Sequence, residues 1–130
     1  MQSDKLEKVG VIGLGIIGSR VAEALRNSGR QVYVWSRTPR PEPNFVSSPA
    51  EMAELADTIQ IFVSNGEALV EVVEAMSGSL SKRHVVINNC TADPESVVNA
   101  FQIANDAGAS FLDAPFTGSK DAAAKGALVY

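Results

Sequence analysis

Apolar runs alternate with stretches of helical periodicity from one end of the chain to the other. Strands are predicted at Val9–Gly13, Gln31–Trp35, Thr58–Ser64, His84–Asn88 and Ser110–Asp113, with a shorter one at Ala127–Tyr130. Most are rich in Val and Ile and lack strict alternation, the mark of parallel strands buried on both faces. Between them lie helices with start and stop signals. Ile16–Ser28 is closed by Gly29. Ser48 reads as an N-cap, followed by Pro49 at the first helical position and by Glu51 completing a capping box. Asn65 caps a helix running to about Met76, with Gly78 beyond it. Asp93 and Pro94 start one that ends before Gly108. The run "RTPRPEPN", Arg37 to Asn44, holds three prolines and is predicted to be a loop. The strand–helix rhythm predicts one α/β domain of the Rossmann type: a doubly wound, mostly parallel sheet with helices on both faces.

The first of these strands runs into "VGVIGLGIIGSR", which spaces Gly13, Gly15 and Gly18 as G-x-G-x-x-G. Alone that spacing is weak, and a tight strand–helix turn without a ligand would satisfy it. Its context strengthens it, because it follows a Val/Ile strand and opens an amphipathic helix. Gly13 would permit the tight turn, Gly15 would let backbone approach a pyrophosphate, and Gly18 would let the helix pack close to the strand. A pyrophosphate there would sit on the helix N-terminus.

The end of the second strand bears on which dinucleotide. Readers of NAD carry Asp or Glu about 20 residues on, for the ribose 2′-hydroxyl. Here Ser36, Arg37 and Thr38 follow "QVYVW". A guanidinium and hydroxyls suit a 2′-phosphate and a carboxylate would repel it, so NADP(H) is expected over NAD(H). The other reading of Arg37 is a solvated loop base.

Composition narrows the remaining classes. The chain has 130 residues and a net charge of -4, from 15 acids against 11 bases, which argues against a nucleic-acid partner. One cysteine, Cys90, excludes an internal disulfide and fits a reducing compartment. The N-terminus lacks a cationic leader, and the first apolar run is far shorter than the about 20 residues a bilayer needs. A cytoplasmic protein with no membrane partner is expected. Ligand spacings for a metal are missing.

Three stretches, "GVIGLGIIGSRVAEAL", "VWSRTP" and "FLDAPFTGSKDAAAKGALV", together resemble the β-hydroxyacid dehydrogenase family. That family includes 3-hydroxyisobutyrate dehydrogenase and the glyoxylate/succinic semialdehyde reductases, and is related to 6-phosphogluconate dehydrogenase. The third stretch is the most specific, and is similar to the family's D-A-P-x-S-G-x signature. "INNCTADPESV" resembles the segment ending the family's nicotinamide-side strand. The resemblance implies that Gly13, Leu14, Gly15, Ile16, Ile17 and Gly18 form the pyrophosphate cradle. It implies that Ser36, Arg37 and Thr38 hold the adenosine phosphate end, and that Val63, Ser64 and Asn65 line the adenine–ribose side. Thr91 would reach the nicotinamide ribose. Thr117, Gly118 and Ser119 would bind a substrate carboxylate. The implied chemistry is hydride transfer between NADP(H) and a small hydroxy acid or its aldehyde or keto partner.

The chain departs from the family in places. Thr117 stands where Ser is usual, and Asn89 and Cys90 where Asp or Ser is common. The family's general acid is a lysine on a helix beyond this domain, ahead of an all-helical substrate and dimerisation domain. Lys120 and Lys125 do not match that lysine. Residues 1–130 are therefore expected to form an NADP-binding domain that lacks the C-terminal half, carries no catalytic residue and turns over no substrate alone. A homo-oligomer is expected only with that half. Two alternatives are a non-catalytic dinucleotide-binding or regulatory module and an imine reductase-like N-terminal domain. His84, the single histidine, reads as a solvated loop residue. Cys90 reads as a small apolar filler, Tyr33 and Trp35 as core and sheet-edge residues, and the acids of the Glu67–Glu74 helix as its solvated face.

Overall fold

The computed structural model describes residues 7–114. Its elements run β1 (Lys8–Ile12), α1 (Ile16–Asn27), β2 (Gln31–Trp35), α2 (Pro49–Leu55), β3 (Thr58–Ile61), α3 (Gly66–Met76), a 3-10 turn at Ser77–Ser79, β4 (Val85–Asn88), α4 (Pro94–Asp106) and β5 (Ser110–Asp113). The strands form one sheet in the order β2-β1-β3-β4-β5, every pair parallel. The chain leaves β1 for one side of the sheet and returns to its other side at β3. The crevice between the C-terminal ends of β1 and β3 is thus the switch point where ligands of such sheets bind. The strand expected at Ala127–Tyr130 lies outside the described residues.

Helices cover both faces. On one face α1 packs Ala22 against Val11, Val32 and Val34, with Leu25 and Phe45 closing the cluster. On the other, α2, α3 and α4 bury Met52, Leu69, Val73 and Ala100 against Ile12, Ile59, Ile61 and Val86. Tyr33 and Trp35 are half-buried against this second core, as expected of sheet-edge residues. Among the described residues no helix is long and apolar enough to cross a membrane.

The helix starts follow the local chemistry. Ser48 accepts from the Glu51 amide at 3.1 Å, Asn65 from the Ala68 amide at 2.9 Å, and Asp93 from the Ser96 amide at 3.0 Å. The capping box is displaced by one residue. The Glu51 carboxylate accepts from the amide and hydroxyl of Ser47, at 2.6 and 2.7 Å, rather than from the N-cap itself. The proline-rich segment is a loop that returns along β2: Asn44, at φ 57°, donates its side-chain amide to Val32 O at 3.0 Å, and Phe45 bridges to Val34.

His84 corrects an expectation. It is fully buried rather than solvated. Its Nδ1 accepts from the Ser81 amide at 3.0 Å, and its Nε2 lies 2.6 Å from the carbonyl oxygen of Ala53, to which it donates. The ring therefore ties the start of β4 to α2. An imidazole with both nitrogens partnered can be buried where an unpartnered one cannot.

Candidate functional site

At the end of β1 the chain turns through Gly13 at φ +96°, a conformation L side chains rarely adopt. The Gly13 amide donates to Trp35 O at 2.8 Å, and Phe62 donates to Ile12 O at 2.7 Å, so the turn is locked to both neighbouring strands. A Cβ at Gly13 would strike the Phe62 carbonyl, and one at Gly18 would strike the carbonyl of Gly13. Gly15 differs: a Cβ there would meet nothing within 4 Å. It is the N-cap of α1, with no side-chain cap bond and no acid in the first turn. Among the described residues no N-cap side chain bonds the first-turn amides of α1, which suits them to an outside acceptor with the positive end of the helix dipole behind them.

Two adjoining clefts open here. One, of about 290 Å³, is lined by Gly13, Gly15, Ser36, Arg37, Val63 and Ser64, all of which the sequence singled out. The second, of about 200 Å³, is lined by Gly15, Ile17, Gly18 and Val63 together with Asn89 and Cys90. Phe62 lines both, and Trp35, Ala68 and Val72 wall the first. Sequence reasoning missed these apolar walls, because nothing in their residue type distinguishes a cleft wall from a core position.

Several of the expected site residues do not present their side chains to these two clefts. The Leu14 side chain is buried in the core under α1, so only its backbone is available to a ligand. Ile16 is 64% exposed and faces a separate groove on the outside of α1, with Ser19 and Arg20. Thr38, Asn65 and Thr91 line neither cleft. The Asn65 amide oxygen is engaged in capping α3, and the Ser36 hydroxyl donates to Thr38 O at 2.6 Å. Thr117, Gly118 and Ser119 lie outside the described residues, as do Lys120 and Lys125.

Arg37 reaches across from the exit of β2 to α3, where its Nη2 donates to Glu71 Oε1 at 2.6 Å. At the end of β4, Asn88 is fully buried and donates to Asp113 at 2.9 Å and to Cys90 O at 3.0 Å. The Cys90 thiol donates to Asn88 Oδ1 at 2.9 Å. Burial above all, with the Asp113 carboxylate adding to it, pushes that thiol above its ordinary range. A thiol so held stays protonated and fills space in the cleft wall, in keeping with its reading as an apolar filler.

This fold and site define a dinucleotide-binding α/β domain. The family model of the NAD binding domain of 6-phosphogluconate dehydrogenase matches residues 8–130, and the chain belongs to that family. It is 31% identical over 133 residues to the cytokine-like nuclear factor N-PAC of Danio rerio, covering 95% of this chain and 29% of that protein. It is 30% identical over 132 residues to the chloroplastic glyoxylate/succinic semialdehyde reductase 2 of Arabidopsis thaliana, covering 94% of this chain and 37% of that one. The fold superposes on 3-hydroxyisobutyrate dehydrogenase of Mycobacterium tuberculosis with a TM-score of 0.83 at 20% identity, over 95% of this chain and 45% of that chain. The chain thus spans about a third of the length of these curated relatives.

Proposed function

We propose that the chain is the NADP(H)-binding domain of an oxidoreductase that moves hydride between NADP(H) and a small hydroxy acid or its aldehyde or keto partner. The observation that carries this reading is the meeting, in one cleft, of Gly13 and Gly15 of the glycine turn with Arg37, which stands just past β2 in place of an acid. The open space at Gly15 and the uncapped first turn of α1 fit a pyrophosphate. Arg37 would take the 2′-phosphate bidentately. Phe62 and Val63 would shield the bound dinucleotide from water. When bound, NADP(H) supplies the hydride. Thr117, Gly118 and Ser119 would take the substrate carboxylate. The general acid and the oligomer contacts are assigned to a helical domain beyond residues 1–130. Without that general acid a developing alkoxide gains no proton, so this chain alone would bind NADP(H) and turn over no substrate.

A second reading, a regulatory dinucleotide-binding module, is favoured by the likeness to proteins named as nuclear factors. Dissociation constants for NADPH and NADH, measured by fluorescence titration on the parent and on Arg37→Ala, test the cofactor assignment. Tighter NADPH binding that the substitution abolishes is expected; equal affinities in the parent would refute it. Steady consumption of NADPH by this chain with glyoxylate or succinic semialdehyde would refute the inactivity.

A further inference from the structure

We propose that Glu71 sets the affinity of the site for a 2′-phosphorylated dinucleotide, as an internal anion that occupies Arg37 and competes with the phosphate. This rests on the NADP(H) reading above. Glu71 lies 34 residues from Arg37 in sequence, on the helix that supplies Ala68 and Val72 to the cleft wall. Its carboxylate oxygen holds Arg37 Nη2 at 2.6 Å, so the pair joins the β2 exit to α3 at the rim of the cleft. Glu67 and Glu74 flank it at helical spacing, all three on the exposed side of α3. The adenosine end is therefore bordered by a line of carboxylates with Arg37 leaning onto the middle one.

Two effects oppose each other when a phosphate arrives. Glu71 could help by holding the guanidinium in place, or hinder by repelling the new anion. Magnitude decides. The Arg37 and Glu71 side chains are 74% and 58% exposed, and so open a pair positions its members weakly. A phosphate seated on the same guanidinium would lie within roughly 5 Å of the carboxylate, where each unit of like charge costs about fourfold in binding before salt screening. The phosphate carries nearly two such charges. Competition therefore outweighs positioning, and a dinucleotide without the 2′-phosphate is indifferent to it.

The test is a titration of the full chain with NADPH and with NADH, comparing the parent, Glu71→Gln, Arg37→Ala and the double variant. Glu71→Gln keeps the side-chain shape on an exposed helix face, and thermal melts check that each variant is folded. NADPH is expected to bind Glu71→Gln about three- to tenfold more tightly than the parent, with the gain shrinking as salt rises and NADH shifting by less than about twofold. In the double variant the direct repulsion is relieved but there is no guanidinium left to compete for, so its gain in NADPH affinity over Arg37→Ala alone is expected to be smaller than that of Glu71→Gln over the parent; an equal or larger gain would overturn the competition for Arg37. If Arg37→Ala weakens NADPH selectively but Glu71→Gln leaves it unchanged or weaker, the role of Glu71 is overturned and the cofactor reading stands. If Arg37→Ala leaves the NADPH-to-NADH ratio unchanged, both fall.

Discussion

Gly18, in the first turn of α1, lies directly against the carbonyl oxygen of Gly13, so close that no Cβ fits between them. The obstacle is backbone, which cannot swing aside as a flexible side chain would. Gly18→Ala must push α1 off the end of β1 and disturb the packing of Ala22 on Val11 and Val32. We expect a loss of about 1–3 kcal/mol in urea unfolding, the range for overpacked sites. A variant as stable as the parent would show that the contact relaxes without cost.

Gly15 separates binding from folding. Its φ of -73° suits any residue, and a Cβ there meets nothing within 4 Å. Gly15→Ala should cost under about 1 kcal/mol, chiefly through the poorer N-cap. The added methyl would stand where a pyrophosphate approaches the helix start, so the NADPH dissociation constant should rise by about tenfold or more. Unchanged affinity in a folded variant would remove Gly15 from the binding site.

His84 joins the start of β4 to α2, with both ring nitrogens partnered. Truncation to Ala would leave the Ser81 amide and the Ala53 carbonyl without their partner in a fully buried place. An orphaned buried group and a cavity each cost free energy, together about 2–4 kcal/mol by chemical denaturation. A loss below about 1 kcal/mol would mean that water replaces the ring.

His84 also illustrates what could and could not be read from the chain. The caps Ser48, Asn65 and Asp93 were legible because each bonds an amide three residues on, a relation that sequence displays. The glycine turn was legible for the same reason, since Gly13, Gly15 and Gly18 act within six consecutive residues. Partnerships across the fold were not. The polarity of His84 suggested solvent, and only the approach of Ala53, 31 residues away, makes its burial tolerable. The residue type of Arg37 raised the expectation of a phosphate, but nothing near it in sequence displayed its ion pair with Glu71. Strand ends failed likewise. β3 was expected to run to Ser64 but ends at Ile61, because its partner β1 turns away at Gly13. Leu14 sits inside the motif, yet its side chain belongs to the core under α1.

Asp93 is expected to add to the acid sensitivity of the fold. Its carboxylate accepts from the Ser96 hydroxyl at 2.8 Å and from the Ser96 amide at 3.0 Å. Those bonds, the hydroxyl's first, hold its pKa below the ordinary 3.8. A carboxyl whose pKa is lower folded than unfolded adds stability above its unfolded value, and that contribution disappears as pH falls through the folded value. Glu51 has the same sign, from its bonds to the backbone and hydroxyl of Ser47. Melting temperatures measured from pH 7 down to about pH 2.5 should therefore fall for the parent below about pH 4. Asp93→Asn keeps a capping oxygen but cannot titrate. It should start lower at pH 7, descend less steeply, and converge on the parent at the acid end. Adding Glu51→Gln should flatten the descent further. Parallel curves for parent and Asp93→Asn across the whole range would show that the cap carries none of the acid sensitivity.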